Sequence, residues 1–256
     1  TADLFSNSPD GKSVALALAD MATRLASDDP RQLRLNIDLQ LKLGQQPKAL
    51  DLLTAYRKLV PGDELAQVQS IDLFVDRMQS ADEKQSYLQA VVGSEAVSGT
   101  VRSHAAVLLC GVLEERGLTT EANTALDKAL ALSPANPKAL QLAVERAYAN
   151  NASAPDRAAT LVNLLLSNPM QPPSVHALAE ELTRCGASDE AIAMYRIAFD
   201  MANTLGQTAD VDDAIDAAAL LLASPKSQEA VSVAGAATQL APSSPRAWFM
   251  RVLAEK

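Results

Sequence analysis

Along most of the chain, apolar residues fall three and four positions apart, the period of a helix with one buried face; strand-type alternation does not appear. The segment from Ser103 to Pro134 shows the plan. Leu109, Cys110 and Leu113 mark one amphipathic helix, which Gly117 stops before a short polar turn. Ala122, Leu126 and Ala129 mark a second helix, and Pro134 ends the pair. Gly44, Gly117 and Gly186 suit the left-handed backbone that closes a helix, and Ser80-x-x-Glu83 is a capping box opening another.

The same pair recurs. Pro30 to Asp63 carries Leu33, Gly44, Ala49 and Pro61 in matching places. Pro172 to Leu205 carries Leu178, Ala179, Leu182, Gly186, Ala191, Tyr195 and Ala198, and Val211 to Ser244 carries Ala218, Leu221, Ala230, Ala237 and Pro242. Weaker copies lie at Glu64 to Glu95 and Pro137 to Pro169. Starts at 30, 64, 103, 137, 172, 211 and 245 give spacings of 34, 39, 34, 35, 39 and 34. The two longer spacings imply insertions, one in the loop around Gly93 to Thr100, the other lengthening a helix past Asp200 toward Gly206.

This phased series resembles the tetratricopeptide repeat, whose signature is Trp-x2-Leu-Gly-x2-Tyr, then Ala-x3-Phe, then Pro at a 34-residue period. Leu109, Cys110 and Leu113 occupy the first-helix places, and Ala122, Leu126 and Ala129 those of the second. The expected fold is all-α, a right-handed α-α superhelix of about thirteen or fourteen antiparallel helices. It is read as one solenoid over 1–256: half a repeat at 11–29, repeats at 30–63, 64–102, 103–136, 137–171, 172–210 and 211–244, and half a repeat at 245–256. In the first half-repeat, Val14, Leu18, Met21 and Leu25 share one face of a second helix. In the last, Trp248 stands where the family has its Trp, and Trp248 and Phe249 are expected to pack partly on Val231 to Leu240. Both ends look cut through a repeat, so the chain reads as a piece of a longer protein; alternatively the lone helices are caps.

Composition sharpens this picture. Ala and Leu, 47 and 37 residues, make up about a third of the chain, against only 9 aromatic residues. That balance favours helices that approach closely. Cys110 then reads as a small core residue and Cys185, beside Gly186, as structural or else an exposed thiol; Met194 and Met201 read as core packing. The net charge of -9 argues against nucleic acid or an anionic membrane as partner. The longest apolar run, Ala217 to Ala223, is far short of the ~20 residues that span a bilayer. No leader peptide is visible, and two cysteines 75 residues apart form no disulfide framework or metal spacing. The compartment stays open, with a soluble cytoplasmic protein favoured.

Catalytic chemistry is sparse. No dinucleotide or phosphate loop, His-Glu-x-x-His or Gly-x-Ser-x-Gly occurs. His104 and His176 sit two repeats apart, about 20 Å at roughly 10 Å per helix layer, too far to share a metal, and each reads as a surface or groove residue. Asn151-Ala-Ser153 matches a glycosylation sequon of the kind common by chance. No enzyme activity, cofactor or metal is expected.

The resemblance implies that first helices line a concave groove that binds peptides. Carried onto this chain, the candidate groove residues are Arg34, Asp38, Asp72, Val107, Gln141, Glu145, Tyr148, His176 and Glu180. Val68 belongs with them, and Lys42, Asp76, Glu115 and Arg184 flank them. The Lys, Arg and Asn residues with which the best-known family groove clamps a C-terminal carboxylate are missing: Asp38, Asp72, Glu145 and Glu180 occupy that face. The expected function is a non-catalytic protein–protein interaction module. Its partner is a protein or peptide, cationic if the four acids form a ladder and absent if they are only a solvated face, with Tyr148 and Val107 as apolar anchors. The alternative is a structural scaffold, or a self-assembling segment of a larger multi-repeat protein that associates through its repeat ends. A nucleic-acid-binding helical repeat of the pentatricopeptide kind has a similar period, but the acidic charge and lack of basic stripes speak against it.

Overall fold

Fourteen α-helices and no strand occur among the described residues of the computed structural model, which are 9–25, 28–205, 210–224 and 226–256. By contacts the chain divides into two compact units, Thr1–Pro134 and Ala135–Lys256. The first holds α1 (Pro9–Leu25), α2 (Pro30–Lys42), α3 (Gln46–Leu59), α4 (Glu64–Arg77), α5 (Ala81–Gly93), α6 (Gly99–Glu115) and α7 (Thr119–Leu132). The second holds α8 (Pro137–Ala149), α9 (Ala154–Ser167), α10 (Pro172–Arg184), α11 (Ser188–Thr204), α12 (Val211–Leu222), α13 (Ser227–Leu240) and α14 (Pro245–Ala254).

Local sequence sets these boundaries. Asp29, Asp63, Ser80, Ser98, Asn136, Ser153, Asp210 and Ser244 each cap a helix by accepting a backbone N–H one or two residues into it. Pro30, Pro137, Pro172 and Pro245 open helices at positions where a missing N–H costs nothing. First helices end in one repeated turn. Gly44, Gly117 and Gly186 have φ of 71°, 74° and 76°. The next residue donates back five positions, Gln45 to Gln40, Leu118 to Leu113 and Ala187 to Leu182. Asn151, φ 50°, does the same in the repeat that lacks the glycine, and Ala152 donates to Ala147. The sequon residue Asn151 is thus accounted for by the left-handed backbone it tolerates. Gly186→Ala should destabilise the second unit by about 1 kcal/mol, since a Cβ in this conformation costs about that much. Urea unfolding would measure it, and no change would show that the turn relaxes.

Within each unit, helices pack on their neighbours in sequence, α4 touching α5 through Phe74 and Tyr87, and first helices also meet across one intervening helix, α4 with α6 and α12 with α14. Small residues make close approach feasible: Ala105, Ala106 and Cys110 of α6, and Ala122 and Ala129 of α7, are all inaccessible. A Cβ on Gly99 would stand 2.8 Å from the Leu132 carbonyl oxygen, so α6 can begin there against the end of α7 only with glycine. That start lies four residues ahead of Ser103, where the phasing puts it, and takes up part of the first insertion. The second insertion lengthens α11, which runs to Thr204; Gly206 lies outside the described residues.

Packing departs from the sequence pattern at both end helices. Val14, Leu18, Met21 and Leu25 face outward on α1, while Ala15 and Ala19 are buried against Leu39 of α2. The α1–α2 contact is partly polar: Asn36 donates to Asp20 and Thr23 over 3.1 and 3.0 Å, and Gln40 to Asp20 over 3.3 Å. Trp248 and Phe249 are 46 and 65% exposed, and it is Ala247 that enters the core with Ile215 and Ala237. Trp248 instead lies along the surface, its indole donating to the Pro242 carbonyl and its ring under Arg251. Cys185 is exposed because it caps α10 at the surface, whereas Cys110 is buried. Met194 is partly buried against Ala191 and Tyr195.

Candidate functional site

In the first unit, the candidate groove residues are engaged with one another or with the core. Arg34 and Asp38 pair along α2 over 3.6 Å. Asp72 of α4 reaches His104 of α6 over 2.6 Å, so His104, largely buried, ties two first helices together rather than standing free. Val107 is buried in α6 and is not available as an exposed anchor.

The second unit brings several candidates together. On α8, Gln141 donates to Glu145 over 3.1 Å, both side chains exposed. Tyr148, further along α8, joins a network that sequence reasoning missed. Its centre is Glu181 of α10, fully inaccessible to solvent. Arg157 of α9 donates to Glu181 over 2.8 Å and to the Ala152 carbonyl over 2.6 Å. Arg184 reaches the other Glu181 oxygen, and the Tyr148 hydroxyl donates to the same carboxylate while the Arg157 guanidinium lies 5.2 Å from its ring centre. Burial, and then the bond to Glu181, push the Tyr148 hydroxyl up to about 12. Burial alone would raise the Glu181 carboxyl, but the donors Arg157 and Tyr148 and the guanidinium charges outweigh it and hold it below its usual range. Tyr148 is still 37% exposed, but with its hydroxyl and ring both engaged its removal acts on the fold before it acts on any ligand.

A second cluster spans α10, α11 and α12. His176 Nδ1 lies 2.5 Å from Asp213 of α12, and Nε2 lies 3.6 Å from Glu180. Asp213 is buried near the start of α12, and the His176 ring meets Tyr195 of α11 edge-on with centroids 5.6 Å apart. The Asp213 hydrogen bond, opposed by partial burial and helped by the charges of Asp213, Glu180 and Asp210, raises the imidazole from 6.5 to about 9. His176 is therefore a cation at neutral pH. Beside this clasp lies an open channel of about 310 Å³ lined by Glu180, Thr183 and Arg184 of α10, Tyr195 of α11, and Asp216, Ala219 and Leu220 of α12. On the far side of Tyr195, a smaller cavity of about 200 Å³ lies among α11, α12 and α13, walled by Phe199, Ala217 and Val233.

Of the candidate residues in this unit, the structure joins His176 to Glu180 and Glu180 to the flanking Arg184, over 3.6 and 3.4 Å. Each of the four acids has a partner: Asp38, Asp72 and Glu180 face basic side chains, and Glu145 accepts from Gln141. Asp213 and Asp216 are absent from the expected set: Asp213 bonds His176, and Asp216 lines the channel. Among the described residues no three or more His, Cys, Asp or Glu side chains are placed to hold a metal ion, and no helix is long and apolar enough to cross a membrane.

No family model matches the chain, and no curated protein does. Solved structures do. The C-terminal part of a TPR repeat-containing protein from Cytophaga hutchinsonii is 15% identical, with a TM-score of 0.53 and 97% of each chain covered. The APC/C hetero-tetramer Cut9-Hcn1 matches 94% of this chain at 14% identity and a TM-score of 0.43, and yeast Tom70 matches 96% at 18% and 0.44. The chain spans about half the length of those last two, 46 and 51%. The Cytophaga likeness shows the fold: antiparallel helix pairs stacked in the tetratricopeptide-like manner.

Proposed function

We propose that the chain is a non-catalytic protein-interaction module that holds a peptide or protein segment against its first helices. The observation that carries this reading is the channel between α10 and α12. The His176–Asp213 clasp joins two first helices there, beside an open strip that mixes Tyr195, Ala219 and Leu220 with charged side chains. Such a strip, part apolar and part polar, suits an extended segment. The tetratricopeptide-like fold supports it, because stacked helix pairs place first helices side by side.

Ala219, exposed in the channel wall, allows a direct test. Ala219→Trp should fill the channel and abolish co-precipitation of the native partner from cell extract, while Val162→Trp on the exposed side of α9 should leave it intact. Capture that survives the plug removes the groove from the function.

A scaffold reading draws on a different observation. The outward stripe Val14, Leu18, Met21 and Leu25, and separately Trp248 and Phe249, are large apolar side chains left open to solvent, and exposed apolar patches mark association surfaces. Light scattering over a concentration series decides it: a mass that rises with concentration favours the scaffold, a constant mass the module.

A further inference from the structure

The helices α10 and α12 carry five carboxylates: Glu180, Glu181, Asp212, Asp213 and Asp216. Four of them face cations. Glu180 meets Arg184, Glu181 meets Arg157 and Arg184, Asp212 meets Arg246 over 2.7 Å, and Asp213 meets His176. Among the described residues Asp216 alone of the five has no hydrogen-bond or ion-pair partner, and it lines the channel. Its surroundings disfavour a lone charge: burial, and then Asp212, raise its carboxyl above the usual value, and the more distant Arg246 and His176 only partly offset this. A half-buried carboxylate without a counter-charge, set in a cavity wall, is the kind of group a ligand completes.

We propose that the channel between α10 and α12 receives a lysine or arginine side chain of the bound segment, and that Asp216 takes its charge. The claim rests on the groove reading above and specifies its partner. Size and lining agree. A volume of about 310 Å³ is room for about ten waters at roughly 30 Å³ each, enough for one long side chain and its remaining hydration. Tyr195, Ala219 and Leu220 offer apolar wall to a methylene stem, and Asp216 and Glu180 line the same channel and can take the charged head. Glu180 is already shared with Arg184 and His176, so it assists and Asp216 decides. An acidic or neutral segment would leave Asp216 unpaired and further desolvated, which selects against it.

The test uses the full chain and a capped pentapeptide, acetyl-Ala-Ala-Lys-Ala-Ala-amide, followed by amide chemical shifts. The lysine peptide should perturb Thr183, Ala219 and Leu220, and added salt should weaken the effect. The same peptide with norleucine in place of lysine keeps the stem and lacks the charge; it should bind at least about five-fold more weakly, a difference of about 1 kcal/mol. Asp216→Asn should bring the two peptides level, while Asp189→Asn, an exposed acid outside the channel, should not; both variants should otherwise keep the parent spectrum. Equal binding of the lysine and norleucine peptides, no perturbation at these residues, or an unaltered lysine preference in Asp216→Asn would overturn the assignment. If the peptide gives no perturbation but Ala219→Trp still abolishes partner capture, only the basic-side-chain assignment falls. If neither experiment responds, the groove reading falls with it.

Discussion

Replacing Glu181 by alanine should destabilise the second unit by about 3 kcal/mol, because removing one member of a buried ion pair leaves its partners desolvated without compensation. The carboxylate is inaccessible to solvent and receives Arg157, Arg184 and the Tyr148 hydroxyl, so a single truncation disconnects α8, α9 and α10 together. Glu181→Gln keeps hydrogen-bonding capacity without the charge and should cost about half as much. Urea unfolding gives the total, and hydrogen exchange shows where it falls: protection should drop first across α8 to α10, since repeat arrays lose stability by neighbour. A loss below about 1 kcal/mol would mean that Arg157 and Arg184 turn to solvent freely and that the network adds little.

The second large effect depends on pH. His176 keeps its proton up to about pH 9 in the folded chain, against about 6.5 in an unfolded one. A raised folded-state value stabilises the protonated fold. The contribution is fully present below pH 6.5, shrinks between 6.5 and about 9, and is gone above that. The whole interval corresponds to at most about 3 kcal/mol; solvent on the open side of the ring reduces this to about 1 to 2 kcal/mol. Comparing the chain with His176→Gln by urea unfolding at pH 6 and pH 10, the stability difference should shrink by that amount. Any constant offset belongs to the lost packing on Tyr195. A difference that does not vary with pH would show that Asp213 and His176 are not coupled as charges.

Much of this architecture is readable from the chain because each turn writes itself locally. Gly44, Gly117 and Gly186 announce where first helices end, and prolines at 30, 137, 172 and 245 where they start. Asn151 shows the limit: the backbone needs a left-handed residue there, and an asparagine supplies it without the glycine that would have flagged the copy. The groove was legible only as a face. Glu180 could be placed on a first helix, but whether it stands open or meets Arg184 and His176 depends on side chains a full turn apart or on other elements. Glu181 left a faint trace, an acid beside Val175, Leu178 and Leu182 on the buried stripe of α10. Asp213 and Asp216 left none, because their roles arise only when α12 is laid beside α10. The stripe on α1 misled for the opposite reason. Large apolar residues at helical spacing suggest a core, yet the packed side of α1 is its alanine side, where two helices meet closely. The same preference for small residues at contacts puts Ala247 inside and leaves Trp248 outside.

The central claim is that a partner segment lies along α10 and α12, and site-specific photocrosslinking tests it most directly. A benzoyl-phenylalanine at Leu220, in the channel wall, and another at Leu166, exposed on α9, would be irradiated in native cell extract. The account predicts one discrete adduct from position 220, suppressed by Ala219→Trp, and none from position 166. An adduct from 166 with none from 220 would contradict it and move the binding surface away from the groove.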